Sequence, residues 1–333
     1  MVERSVLLSI LLFCASEIAA QKPGDKVLSL YTDEFDQVWF GTDNGLLRKC
    51  GDVFKAYYTV PGSPGRVNNI RHPNSDDPEL WIGTAGGIVK IRYSKTDISS
   101  LTRCDSSVTT SQTDNINALE FDNKNVCYFT TSKGIGIFAN SIWRFYTRFF
   151  DVVRDEFTSV KAKGDTIYLG TKGEGVARIV KRVDGYTGAS AYIRPWSYLQ
   201  GDSINSILID SRGNQWYGTN KGLSRHSSTE AKEGWDISLT DELPDRHVTS
   251  LAEDAHGNIW IGTRGGLVLL GPDLQKITVW TTEKGLPSEV INDIFICKDQ
   301  SVWIGTDLGA SHFNGSVFSN IRTSDYAHNF IEF

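Results

Sequence analysis

The chain has 333 residues and a net charge of −6, from 34 basic and 40 acidic side chains. No basic run stands out, which removes the electrostatic case for a nucleic-acid partner, and the balance suits a soluble surface. Its five cysteines include no C-x-x-C pair, so the common metal and redox motifs are absent and no cofactor is expected.

Met1 to Ala20 opens with Glu3 and Arg4, runs apolar from Val6 to Ala15 and ends on Ala19 and Ala20. This is the pattern of a secretory signal peptide cleaved before Gln21. The apolar run is too short for a stable membrane anchor, and no other stretch approaches a transmembrane segment. Phe13 is a poor residue before a lipobox cysteine, so Cys14 is not expected to carry a lipid. The expectation is an exported chain, periplasmic or secreted, with residues 21–333 as one domain. Export permits a disulfide. Cys127 and Cys297, however, lie in or beside predicted strands, where buried free thiols are common; the state of Cys50 and Cys104 is left open.

From residue 26 onwards the chain repeats. Asp254 to Leu267 shows the unit in full: a type I turn from Asp254 to Gly257, an apolar strand Ile259-Trp260-Ile261, glycines at 262, 265 and 266, and a returning strand Leu267 to Leu270. Copies recur at Trp39-Phe40-Gly41-Thr42, Trp81-Ile82-Gly83-Thr84, Trp216-Tyr217-Gly218-Thr219 and Trp303-Ile304-Gly305-Thr306. Two have drifted, at Tyr128-Phe129-Thr130-Thr131 and Tyr168-Leu169-Gly170-Thr171. Each is preceded by a short strand, beginning at Val27, Val67, Ile116, Phe157, Ile204, Val248 and Ile291. Asp33, Asp122, Asp210 and Asp254 each stand six residues before the aromatic residue. A fourth strand follows each hairpin, as at Ile142 to Tyr146 and Ile277 to Thr281. Units of about 40–48 residues with four strands each predict β-propeller blades, so the fold class is all-β, a seven-bladed β-propeller with four antiparallel strands per blade.

Tyr93 to Thr113, rich in Ser and Thr, and Val183 to Ser190, with Gly185 and Gly188, read as surface loops. His328-Asn329-Phe330-Ile331 matches Val67-Asn68-Asn69-Ile70, so an eighth inner strand begins near the end of the sequence. It would close the ring beside or instead of Val27 to Leu30, or belong to a longer ancestor.

The pattern V-x-x-I-x-x-D-x-x-G-x-h-W-h-G-T-x-x-G-L resembles the two-component regulator propeller repeat, and Thr282 to Ser288 resembles that family's linker between blades. The resemblance covers Lys26 to Ile321. It implies an extracytoplasmic sensor propeller like those of hybrid two-component histidine kinases. With no kinase, second propeller or transmembrane helix in this sequence, a signal would pass through a membrane-bound signalling or surface protein partner.

The second residue of the inner strands is polar in six of seven copies: Asn68, Asn117, Thr158, Asn205, Thr249 and Asn292. These should ring one mouth of the central channel, where amides and hydroxyls can serve an oligosaccharide, or else cap strand starts and hold water. Lys221 and Arg264, on second-to-third turns, are added as candidate contacts, with Asp43, Lys172 and Asp307 on equivalent turns. Trp143, Trp235 and Trp280 fall near fourth strands, where packing between blades is the plainer role; Trp196 is the better candidate for an exposed aromatic. Two further functions stay open. One is a metal-dependent lyase like virginiamycin B lyase, also a seven-bladed propeller, for which His247 and Glu289 would have to meet near the mouth and no motif match is found. The other is a pure protein-interaction scaffold.

Overall fold

The computed structural model describes residues 25–57, 65–104, 115–147, 156–182, 185–187, 199–227 and 234–326. They form seven four-stranded antiparallel sheets, each built from four consecutive strands. The inner strands are Val27–Thr32, Val67–Arg71, Ile116–Phe121, Phe157–Lys163, Ile204–Ile209, Val248–Glu253 and Ile291–Ile296. Each packs against the inner strand of the next blade, and the seventh packs against the first, so the ring is closed.

The hydrophobic core is divided among the seven blade interfaces. Trp39 and Leu46 of blade 1 pack with Val67, Ile70 and Ile82 of blade 2, and the arrangement recurs around the circle to Trp303 and Ala310 of blade 7 against Val27, Leu30 and Phe40 of blade 1. Both faces of every sheet are therefore covered, which is why the strands carry apolar runs instead of strict alternation.

Three features of the repeat have local physical causes. The aspartate six residues before the aromatic one accepts the aromatic side chain's proton: Trp39, Trp216 and Trp260 donate Nε1–H to Asp33, Asp210 and Asp254 at 2.9, 2.9 and 3.0 Å, and the Tyr128 hydroxyl donates to Asp122 at 3.0 Å. The other carboxylate oxygen collects two backbone N–H groups of the turn, as Arg212 and Asn214 do on Asp210. The repeat glycine sits where the next blade begins. A Cβ on Gly218 would lie 2.6 Å from Val248 Cγ1, and one on Gly41 would lie 2.5 Å from Val67 Cγ1. The threonine after it is fully buried and donates its hydroxyl to the carbonyl of a glycine across the hairpin, for example Thr219 to Gly222 at 2.8 Å.

Two expectations need correction. Ile98–Arg103, inside the stretch read as a loop, is the outer strand of blade 2, paired with Gly87–Tyr93. Gly185–Thr187, inside the second such stretch, is the outer strand of blade 4. Outer strands have one unpaired edge, so Ser, Thr and Gly are tolerated there and the strand leaves a weak apolar signal. Val27–Thr32 holds the inner position of blade 1, so nothing replaces it; residues 328–331, Trp196 and the leader 1–20 lie outside the described residues. Closure is helped by Lys26 paired with Asp307 at 2.7 Å and by Tyr326 stacked on Phe54 at 3.6 Å. The four described cysteines are free thiols, with Cys127 buried.

Candidate functional site

The inner strands carry a register shift near their start, between the first and third residues of each strand. The second residue is bulged out of the ladder, which breaks the two-residue alternation. Positions two and three then both reach the channel. Asn68, Asn117, Thr158, Asn205, Thr249 and Asn292 come together at one mouth, in a cavity of about 310 Å³ completed by Leu28 of blade 1 and by Arg66, Asn115 and Glu156 on the rim. A second cavity of about 250 Å³ continues below, lined by Ser29, Asn69, Ser159, Ser206, Ser250 and Asp293 at position three and by Arg71, Glu120 and Lys161 at position five.

Most amides of the mouth hold neighbouring blades together. Asn68 Nδ2 donates to Ile116 O at 2.9 Å, Asn117 to Phe157 O at 2.7 Å and Asn205 to Val248 O at 2.8 Å, and the Thr158 hydroxyl donates to Ile204 O. In each case the acceptor is the first residue of the next inner strand. Asn292 breaks the series and donates to Asp307 at 2.9 Å. The Thr249 hydroxyl is buried with no hydrogen-bond partner, and so is the Ser250 hydroxyl next to it. Ile294, the equivalent of the donor that serves Ser29 two blades on, gives its N–H to Asp293 instead.

His247, immediately before the sixth inner strand, accepts at Nε2 from Asn205 Nδ2 at 3.2 Å. Burial and the nearby Arg264 push its pKa down, against an upward pull from Asp245, so the ring is a neutral acceptor at the rim. Glu289 accepts instead from Thr282 at 3.1 Å. His226 and His312 stand on third strands, outside the lining of both cavities, and His312 packs on Trp303 with ring centroids 4.6 Å apart. Among the described residues no group of three or more His, Cys, Asp and Glu side chains is placed to hold a metal ion. Lys221 and Arg264 are exposed on their turns and line neither cavity. Trp143 packs against Trp81, Phe129 and Phe138, and Trp280 stacks on Trp260, so both are half-buried packing aromatics. Of Trp235, only its place in the outer strand Gly234–Leu239 is described.

Asp293 of blade 7 closes the ring at the seam with blade 1, accepting Leu30 N–H at 2.8 Å. Burial pushes its carboxyl up from the ordinary range; Arg71 and the hydrogen bonds from Leu30, Ile294 and Ser29 pull it back only in part. A carboxyl held above its unfolded value binds its proton more readily in the native state. Its stabilisation is full below the unfolded pKa and lost as pH rises through the folded one. The melting temperature of the natural chain minus that of Asp293→Asn should therefore grow as the pH is lowered from neutral into the carboxylate range; a difference that is flat with pH would refute the assignment.

The fold defines a seven-bladed propeller with a polar channel. Within that class, residues 242–265 match the family described as "Two component regulator propeller". No curated protein matches the chain. Among solved structures, the extracellular domain of the one component system BT4673 from B. thetaiotaomicron superposes with a TM-score of 0.69 at 19% identity, over 89% of this chain and 39% of that one. The extracellular domain of the hybrid two component system BT3049 gives 0.70 at 19%, over 88% and 40%. Virginiamycin B lyase from Staphylococcus aureus gives 0.67 at 12%, over 89% and 96%. At these identities the likeness is one of fold. The chain spans about two fifths of the length of the two sensor domains. Among the described residues no helix is long and apolar enough to cross a membrane.

Proposed function

We propose that this chain is an extracytoplasmic recognition module of the sensor type, which takes a small hydroxylated ligand at the channel mouth without turnover and passes the signal through a partner protein. The observation that carries this reading is the mouth itself. Seven register shifts turn one residue per blade out of the ladder, and six of the seven are polar groups able to donate and accept hydrogen bonds. The family matched by residues 242–265 and the sensor domains that share the fold support the same role. Catalysis has less support, since His247 and Glu289 take separate partners and general acid–base work needs groups within reach of one proton.

The test is thermal shift of the chain against a panel of mono- and oligosaccharides, repeated with Asn117→Ala and Asn292→Ala. Because Asn117 also ties blade 3 to blade 4, the readout is the ligand-induced shift and not the starting melting temperature. A native-state ligand raises the melting temperature by mass action, and both variants should lose that rise. A ligand whose shift survives in both variants binds elsewhere and overturns the reading.

A further inference from the structure

The hydrogen bonds of the mouth run in one direction along part of its rim. A carboxamide has two N–H donors and a carbonyl oxygen with two lone pairs. Asn205 Nδ2 spends both protons, one on Val248 O at 2.8 Å and the other on His247 Nε2 at 3.2 Å. Val248 O can only accept, so it fixes which end of the amide is the nitrogen and makes His247 Nε2 an acceptor. What Asn205 has left is its carbonyl oxygen. Asn292 is held in the same sense: its Nδ2 donates to Asp307 Oδ1 at 2.9 Å, and Lys26 pairs with the same oxygen at 2.7 Å. Among the described residues nothing donates to Asn205 Oδ1 or Asn292 Oδ1, and neither is one of the buried unpaired atoms, so both are open to the cavity that their residues line. The Thr249 hydroxyl between them is sealed from the channel, and Leu28 beyond them is apolar. From blade 5 round to blade 1, the rim therefore offers two free carbonyl oxygens against one spare donor, the second N–H of Asn292. The opposite wall differs. There Arg66 Nε donates to Asn68 Oδ1 at 2.8 Å, Asn68 to Asn115 Oδ1 at 2.7 Å and Asn115 to Asn117 Oδ1 at 2.6 Å, so each amide oxygen already accepts a bond.

Resting on the reading of the mouth as the ligand site, we propose that Asn205 and Asn292 select the ligand by its hydrogen-bond donors: an uncharged sugar whose free hydroxyls donate to the two carbonyl oxygens, in preference to a uronic acid. His247 and Asp307 are positioning residues, because each takes an amide proton and so leaves the carbonyl oxygen for the ligand. A hydroxyl fits this wall, since it brings an O–H and can turn its lone pairs towards solvent. An ionised carboxylate brings acceptors alone and would set lone pairs against lone pairs. The charges around the cavity do not reverse the preference. Glu156 is paired with Lys172 at 2.9 Å, and Arg66 is exposed at the rim of blade 2, where an ion pair is worth little.

Two measurements on the full chain test this. The first needs no ligand. A long-range proton–nitrogen correlation spectrum at neutral pH, with His247 assigned by its loss in His247→Phe, should show the ring protonated at Nδ1 and bare at Nε2. A ring protonated at Nε2 would mean that Asn205 gives its oxygen to His247 and not to the channel, which would overturn the proposal. The second is a ligand-observed titration with glucose and galactose, set against glucuronate and galacturonate. The neutral sugars should bind at least about tenfold more tightly than their acids, the scale of leaving a charged acceptor unpaired. His247→Phe returns the second amide proton of Asn205 to the mouth and should narrow that ratio about fivefold, the value of one hydrogen bond. Asn292→Ala, which removes the other free oxygen, should narrow it as well and serves if His247→Phe fails to fold. Acids bound as tightly as the neutral sugars, or a ratio that neither variant moves, would overturn the proposal and leave the recognition reading standing. No binding of any of the four would also overturn it; the recognition reading falls with it only if the oligosaccharides of the wider panel fail to raise the melting temperature.

Discussion

Asp33→Ala is expected to destabilise the propeller by about 4 kcal/mol or more and to lower its melting temperature by roughly 10 °C. The Asp33 carboxylate is 1% exposed and accepts from Phe35 N, Gln37 N and Trp39 Nε1 at 2.9–3.0 Å. It also stands 3.6 Å from the guanidinium of Arg48, which is itself fully buried and lies over the Trp39 ring. Removing the carboxylate leaves an uncompensated buried cation and two buried donors, Gln37 N and Trp39 Nε1, without acceptors, and each such donor costs about 1–3 kcal/mol. The repeat supplies its own control. In blade 7 the equivalent position is Cys297, six residues before Trp303, with its thiol 3.7 Å from the Thr32 hydroxyl. Cys297→Ala deletes no carboxylate and should cost no more than about 1 kcal/mol. Thermal unfolding of the two variants side by side checks the claim. Equal losses would mean that the turn aspartate is ordinary turn chemistry and not the anchor of the indole.

The second large effect is at the repeat glycine. Gly218→Ala should cost about 2 kcal/mol, since its Cβ would meet Val248 Cγ1 at 2.6 Å and a well-packed core answers extra methylenes with strain of about 1–3 kcal/mol. Gly305→Ala should cost less, because its Cβ would stand 3.0 Å from Val27 Cγ1 and 3.1 Å from the Val27 carbonyl oxygen, tight contacts but neither as close as the 2.6 Å one at Gly218. Denaturant unfolding ranks the two. If the order reverses, the glycine is there for the hairpin and not for the approach of the next blade.

The sequence carried the architecture because the packing demand is local and repeated seven times. Trp or Tyr, Gly and Thr at fixed spacing reflect the buried face, the close blade contact and the hydroxyl that ties the hairpin, so their recurrence identifies the blade. The Asp-to-Trp spacing was visible as a number, but the indole hydrogen bond behind it was not. The mouth ring was legible because Asn and Thr interrupt otherwise apolar strands. The ring beneath it was hidden: alternation places Ser250 and Asp293 on the opposite face from Thr249 and Asn292, and only the register shift brings both to the channel. Arg71, Glu120 and Lys161 read as polar residues near strand ends, and nothing in their spacing showed that three blades bring them together. Arg66, Asn115 and Glu156 were missed for a simpler reason, since each precedes its strand and reads as connector.

The most direct measurement is a crystal structure of the chain grown with whichever sugar gives the largest thermal shift. The account predicts density for that ligand on the channel axis, within hydrogen-bond distance of the position-two side chains contributed by several blades. Density confined to the outer strands or to the opposite end of the channel, with the mouth holding only water, would contradict it.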